Sequence, residues 1–280
     1  MKKLFFNAYR IFLIGMSLPI ILSGFFNKRT GQEYGITFFS KIRLLLQMVR
    51  NNFKIKTASR FVEHILMAEA IFRVPKSVEG AVVEAGVFKG GSAANLSLAC
   101  AMCSRELLLF DSFKGLPEPD LKDKKHIILS NKETHAYQKG AWTGTLSEVK
   151  KNISNYGNIN VCKFYEGFFD QTLPLFEDDV ILVFSDADLK KSTETCLKYL
   201  WPLLNDNGLF FIHEAAHNDL VSLFFDKLWW RDNLNSEVPC LIGAGNGLGL
   251  YPSDGGYKSS LAYTIKNPDV SKFKEMPPEV

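Results

Sequence analysis

Short apolar runs alternate with helix-patterned stretches through the middle of this 280-residue chain. Val82 and Val83 lead into Glu84; after Gly86, the triplet Gly90, Gly91 and Ser92 opens a helix reaching about Cys103. Residues 107–110 form a second buried strand that stops at Asp111. The pattern then repeats, with a helix over 146–156, a strand over 160–165 ending at Glu166 and Gly167, and a buried strand over 180–185. A helix over 190–204, a strand over 208–212 and a last strand over 260–265 follow. Strands interleaved with helices predict an α/β chain with a Rossmann-like three-layer α/β/α fold, a mainly parallel sheet and an N-terminal helical extension. Upstream, Phe38, Ile42, Leu45, Leu46 and Val49 fall at helical spacing and predict a basic amphipathic helix, placed on core, entrance or membrane. Thr57 is placed to cap the next helix, whose face is Phe61, Ile65, Ala68 and Phe72 before Pro75. The chain thus divides into an apolar, basic-flanked segment (1–30), N-terminal helices (31–78), the Rossmann-like domain (79–270) and a tail (271–280).

Both of the first two core strands end in a carboxylate. In a parallel sheet those ends share one edge, where ligands bind in the crevice. The glycine turn lets backbone approach a ligand, and free N–H groups at the helix start suit a carboxylate or phosphate. An acid at Asp111, followed by Ser112, is placed to accept hydrogen bonds from a ribose diol. The spacing E-x-G-x-x-x-G-G is not the dinucleotide G-x-G-x-x-G, so a nicotinamide oxidoreductase fits poorly, and no phosphate-binding P-loop occurs. The next two strands end in Asp186-Ala187-Asp188 and His213-Glu214, neighbouring edges of the same crevice. Their convergence would hold an acceptor oxygen, or a cation that lowers its pKa; carboxylates suit Mg²⁺, and the imidazole shifts preference toward transition metals. Asp188 is equally suited to cap the helix near Lys190. The irregular stretch 116–145 is placed to shape the acceptor pocket.

Charge changes the picture at the N-terminus. Residues 1–60 carry 11 Lys/Arg against the single acid Glu33, a charge of +10, whereas residues 61–280 carry 22 basic and 29 acidic groups. Residues 11–26, IFLIGMSLPIILSGFF, are uncharged and apolar. As a helix they would rise about 24 Å, short of a hydrocarbon core of about 30 Å. Three readings stay open: a retained segment on the inner face of a membrane, a cleaved signal, or an apolar helix packed on the domain or a homo-oligomer partner. Basic residues are not interleaved with aromatics in any nucleic-acid module. Five cysteines, mostly in apolar contexts, read as buried reduced thiols of a cytoplasmic domain. The glycine-dense stretch 243–256 reads as a closing hairpin or loop rather than a phosphate cradle.

Four ordered motifs, VVEAGVFKGGSAANLSLA, FDSFKGLPEPD, VKKNISNYGNINVCKFYEGFFDQTLPLF and DADLKKST, resemble the macrocin O-methyltransferase (TylF-like) family over residues 61–268. The resemblance implies an S-adenosylmethionine-dependent, usually Mg-dependent O-methyltransferase acting on a hydroxyl of a small molecule or glycan. Carried onto this chain, it assigns Glu84, Gly86, Gly90, Gly91 and Ser92 to the methionine end of the donor. Asp111 and Ser112 go to the ribose, Glu166 and Gly167 to the adenine border, and Asp186, His213 and Glu214 to the acceptor or metal site. His213 stands where the family has an aspartate, so three roles stay open: ligand, general base, or mark of a metal-independent or inactive member. Glu148 lies near the point where some relatives carry a histidine base; His135 and His217 are further candidates. A membrane-associated binding protein without turnover is the competing reading.

Overall fold

The computed structural model describes residues 19, 22–120, 126–127, 134–135, 137–215, 217–243, 252–253, 256–257 and 261–269. Helix α1 (Phe38–Lys54) and helix α2 (Phe61–Arg73) precede strand β1 (Ala81–Ala85), helix α3 (Gly91–Met102) and strand β2 (Leu107–Asp111). Helix α4 (Leu146–Tyr156), strand β3 (Cys162–Glu166), strand β4 (Val180–Ser185) and helix α5 (Lys190–Leu203) follow. Strand β5 (Leu204–Ile212), two short helices α6 (Asn218–Leu223) and α7 (Lys227–Leu234), and strand β6 (Ala262–Ile265) come next, with single helical turns and two-residue strands between these main elements.

The sheet runs β6-β5-β4-β1-β2-β3, parallel except for β6, which pairs antiparallel with β5. Strand β1 is buried along its whole length, as a central strand covered on both faces must be. Val82, Leu107, Leu109, Leu182 and Phe184 face one layer with Ile65, Ala68, Leu96 and Ile153. Val83, Leu108, Phe110, Val183 and Phe210 face the other with Leu197, Leu200, Trp201 and Trp230. Each fully buried large apolar side chain among them stabilises the fold by roughly 1.5–3 kcal/mol. Chain order reverses between β1 and β4, the position at which such sheets leave a crevice.

Several sequence expectations shift. Strand β5 begins four residues earlier than the 208–212 pattern, because α5 ends at Pro202 and Leu203 and the chain turns directly into the sheet. Thr57 does not cap α2; Arg60 occupies that position, and the Glu63 carboxylate accepts from the Arg60 N–H at 2.7 Å. The buried face of α1 is Lys41, Leu44, Met48 and Asn51, so the predicted apolar stripe is rotated to the rim, and its Phe38 and Leu46 are exposed. Asn51 explains the rotation: its amide donates to Asn95 Oδ1 at 2.8 Å and to the Tyr156 carbonyl at 2.9 Å, tying α1 to α3 and the end of α4. Cys100, Cys103 and Cys196 are buried, Cys162 is half-buried and Cys240 is exposed; all five are free.

Of the apolar segment 11–26, residues 11–18 and 20–21 lie outside the described residues, as do 1–10 and the tail 271–280. Residues 22–26 are helical, and Phe25 is fully buried, stacked on Phe72 of α2 at 5.9 Å. The end of that segment therefore packs on the domain. Among the described residues no helix is long and apolar enough to cross a membrane.

Candidate active site

Strand β1 leaves the sheet at Gly86, whose φ is +94°. A Cβ there would collide with the Asp186 carbonyl oxygen, so only glycine lets the ends of β1 and β4 come this close. The Asp186 N–H donates to the Ala85 carbonyl at 2.8 Å and the Gly86 N–H to the Phe110 carbonyl at 2.9 Å, knitting three strand ends together. Asp111 closes the turn from the next strand. Its Oδ2 accepts from the N–H groups of Val87 (2.7 Å) and Phe88 (3.2 Å), and its Oδ1 from Phe113 (2.7 Å). A carboxylate has about four acceptor positions, so one remains for a ligand. Burial raises the Asp111 pKa, opposed by those three N–H donors.

A cavity of about 400 Å³ opens over these ends, a size usual for small-ligand sites. Gly86, Asp111 and Ser112 lie on its wall together with Asp186, Asp188, His213 and Glu214. Phe88, Trp142, Phe168 and Phe169 supply its aromatic surface, with Phe88 edge-on to Trp142 at 5.5 Å. Glu84, Gly90, Gly91 and Ser92 stand behind the turn instead of on the wall. Glu84 is fully buried, accepts from the Ser92 hydroxyl, and leaves Oε2 without a partner. Burial pushes its carboxyl well above the usual range, against the lowering effect of Ser92. A Cβ on Gly91 would meet Thr57. Glu166 and Gly167 also stay off the wall; Phe168, Phe169 and Asp170 line it there.

The other end of the cavity is dense in ionisable groups. His213 Nδ1 lies 3.2 Å from Asp186 Oδ1, and its Nε2 lies 3.6 Å from Glu63 Oε2. Burial alone would lower the His213 pKa, but Asp186 and Glu63 raise it well above the ordinary value. Burial raises Asp186, yet His213 outweighs this and brings it below the usual carboxylate range. Burial, then Asp186 and Asp188, push Glu214 well up. Asp188 has φ +60°, gives its N–H to Glu214 Oε1 at 3.2 Å, and is raised to about 7 by burial and by Asp186. It does not cap α5, whose N-cap is Leu189. Tyr137, from the 116–145 stretch, is buried on the cavity wall and hydrogen-bonds Asp188.

The sequence pattern of the macrocin O-methyltransferase (TylF) family matches residues 60–239. The chain belongs to that family. As a macrocin O-methyltransferase relative, it is an S-adenosylmethionine-dependent O-methyltransferase. Solved structures with a similar fold include the O-methyltransferase NovP, at 20% identity and a TM-score of 0.56 over 79% of this chain and 88% of that one. The calicheamicin methyltransferase CalS11 is similar at 16% identity and a TM-score of 0.51, over 80% of this chain and 92% of that one. Curated protein sequences gave no match.

Within this macrocin-family site, Glu63 and Phe88 escaped the sequence reading, whereas Tyr137 and Trp142 on the cavity wall come from the 116–145 stretch expected to shape the acceptor pocket. Glu63 carried a signal, as the acid three residues after a helix start, but that pattern marks a capping interaction and says nothing of a histidine 150 residues away. Glu148 pairs with Lys89 at 2.7 Å and His217 lies on the cavity wall. His135 pairs through its backbone with His126, and its side chain lies outside the described residues.

Proposed function

We propose that this methyltransferase methylates a hydroxyl of a small molecule or glycan in the cavity between Asp111 and the Asp186–His213 pair. The single observation behind this is the convergence of Asp111, Asp186, His213 and Glu214 on one cavity over the β1–β4 crevice. The residues fit the donor: Asp111 retains one acceptor position for a ribose hydroxyl, with Ser112 beside it, and the aromatic wall suits an adenine. Glu84 Oε2, buried and unpartnered behind the turn, is the group a donor amine would recruit once the turn adjusts. Bound S-adenosylmethionine supplies an already activated sulfonium methyl, so the protein's work is to align the acceptor, exclude water and take up one proton.

Asp186 is placed to orient the acceptor hydroxyl, and neutral His213 to receive its proton; Glu63 then holds the resulting imidazolium from the far side. In the alternative arrangement, in which the same ring nitrogen of His213 binds an ion instead of taking the proton, Asp186, His213 and Glu214 each offer a ligand atom, all within 4.8 Å of one another. Glu63 backs the Nε2 of His213, the outer contact a metal-bound histidine uses to keep its other nitrogen available. The trio therefore fits a divalent cation of the transition series better than Mg²⁺, and such an ion would lower the hydroxyl pKa. Dialysis against chelator, followed by assay with Mg²⁺, Mn²⁺ or Zn²⁺ restored one at a time, tests this. Activity recovered by Mn²⁺ or Zn²⁺ but not by Mg²⁺ is expected, and undiminished activity after metal removal would exclude the ion.

Incubation with methyl-labelled S-adenosylmethionine and a panel of hydroxylated glycans and phenols tests the wider reading. Label appearing on an acceptor oxygen supports it; donor binding without transfer to any hydroxyl would favour the non-catalytic reading.

A further inference from the structure

We propose that the outer face of α1 is a docking surface for an anionic lipid bilayer. The inner face of this helix is satisfied by Leu44, Met48 and Asn51, so its outer residues are left to solvent. Phe39, Leu46 and Phe53 recur there every seven positions and are 80%, 64% and 85% exposed. Arg43 and Arg50 fall between them at the same helical spacing, exposed, with Lys54 and Lys56 at the end. The five positions form one stripe about 21 Å long, apolar and cationic in alternation. No Asp or Glu occurs between Glu33 and Glu63. Among the described residues, neither Arg43 nor Arg50 makes an ion pair.

Three large apolar side chains held in water by a rigid, well-packed helix gain free energy only where an apolar medium receives them, and interleaved cations suit a negatively charged headgroup layer. Charge argues against a second copy of this chain, because two such faces would bring arginines together with no acid to meet them. The face is also continuous with the apolar N-terminal segment: Phe26 contacts Phe38 at 5.3 Å, and Phe38 contacts Phe39 at 6.0 Å. The described end of that segment, residues 22–26, therefore meets α1 at the end where the stripe begins.

The test uses the full chain and vesicles of phosphatidylcholine with or without about one-third phosphatidylglycerol. Wild type should partition more strongly onto the anionic vesicles, with the excess lost in high salt. Arg43→Gln with Arg50→Gln should reduce that excess about 30-fold, at about 1 kcal/mol per basic residue near such a surface. Phe39→Ser with Phe53→Ser should reduce it about tenfold or more. All four positions are exposed, so near-ultraviolet circular dichroism should match wild type and separate lost docking from lost folding. Wild-type partitioning by both double variants would assign any binding to residues 1–26 and overturn the proposal. So would a wild-type dimer in light scattering that the phenylalanine variants dissociate, or tight binding to duplex DNA without preference for anionic vesicles.

Discussion

At position 111 one carboxylate holds the N–H groups of Val87, Phe88 and Phe113 and still faces the cavity. Asp111→Ala should therefore weaken S-adenosylmethionine by about 1–3 kcal/mol in calorimetry, through loss of a charge-assisted bond and loosening of the turn. Unchanged affinity would remove Asp111 from the donor site. His64 is fully buried between Ser59 and Asn95, and burial lowers its pKa to about 4. Because the folded state binds this proton less readily than the unfolded chain, its contribution is complete above pH 6.5 and is lost as pH falls toward 4. The loss is at most about 3 kcal/mol. Urea melts at pH 7 and pH 4.5 should show wild type losing more stability between them than His64→Gln; equal losses would contradict a neutral buried imidazole. His213 has the opposite sign: its pKa is raised by Asp186 and Glu63, so a proton-accepting role requires activity to climb with pH above neutrality. A pH–rate profile that is flat from pH 7 to 9.5 would sink that role.

At the scale of elements, the strand-to-helix turn after β1 depends on a glycine that nothing else can replace. Gly86→Ala would drive a Cβ into the Asp186 carbonyl at a φ of +94°, so a loss of about 1–3 kcal/mol in denaturant unfolding and a larger fall in turnover are expected. Wild-type stability would show that β1 and β4 ends are not held as described. This turn, the two strands flanking it and the alternation behind it were legible in sequence, because buried parallel strands read as short apolar runs and glycine marks the places where φ must be positive. Asp186 and His213 were also placed on one edge by topology alone. Glu63 was not, since its partner arrives from another element through tertiary packing that no local pattern encodes. The face of α1 was misjudged for a similar reason: counting apolar residues favoured Phe38 and Leu46, whereas the buried Asn51 hydrogen bonds decided which side turns inward. Glu84, Gly90, Gly91 and Ser92 were legible as a motif, yet their position behind the turn was not, since it depends on tertiary neighbours such as Thr57 packed against Gly91.

Across the whole molecule, two apolar layers flank the sheet while its carboxyl edge holds the acid-lined cavity, with α2 bringing Glu63 to His213 from the N-terminal side. Donor at about 100 times its dissociation constant should stabilise the folded chain by about 2.7 kcal/mol, visible as a raised melting temperature. The proposed division of labour along the edge, donor at β1 and β2, acceptor at β4 and β5, is separable in one variant. Single-turnover transfer of labelled methyl should be compared between wild type and Asp186→Asn at saturating donor, with donor affinity measured on the same samples. Affinity within about threefold of wild type and transfer slowed about 10²-fold or more would place Asp186 on the acceptor side of the reaction. Wild-type transfer by Asp186→Asn, or loss of donor binding in step with loss of transfer, would contradict that arrangement.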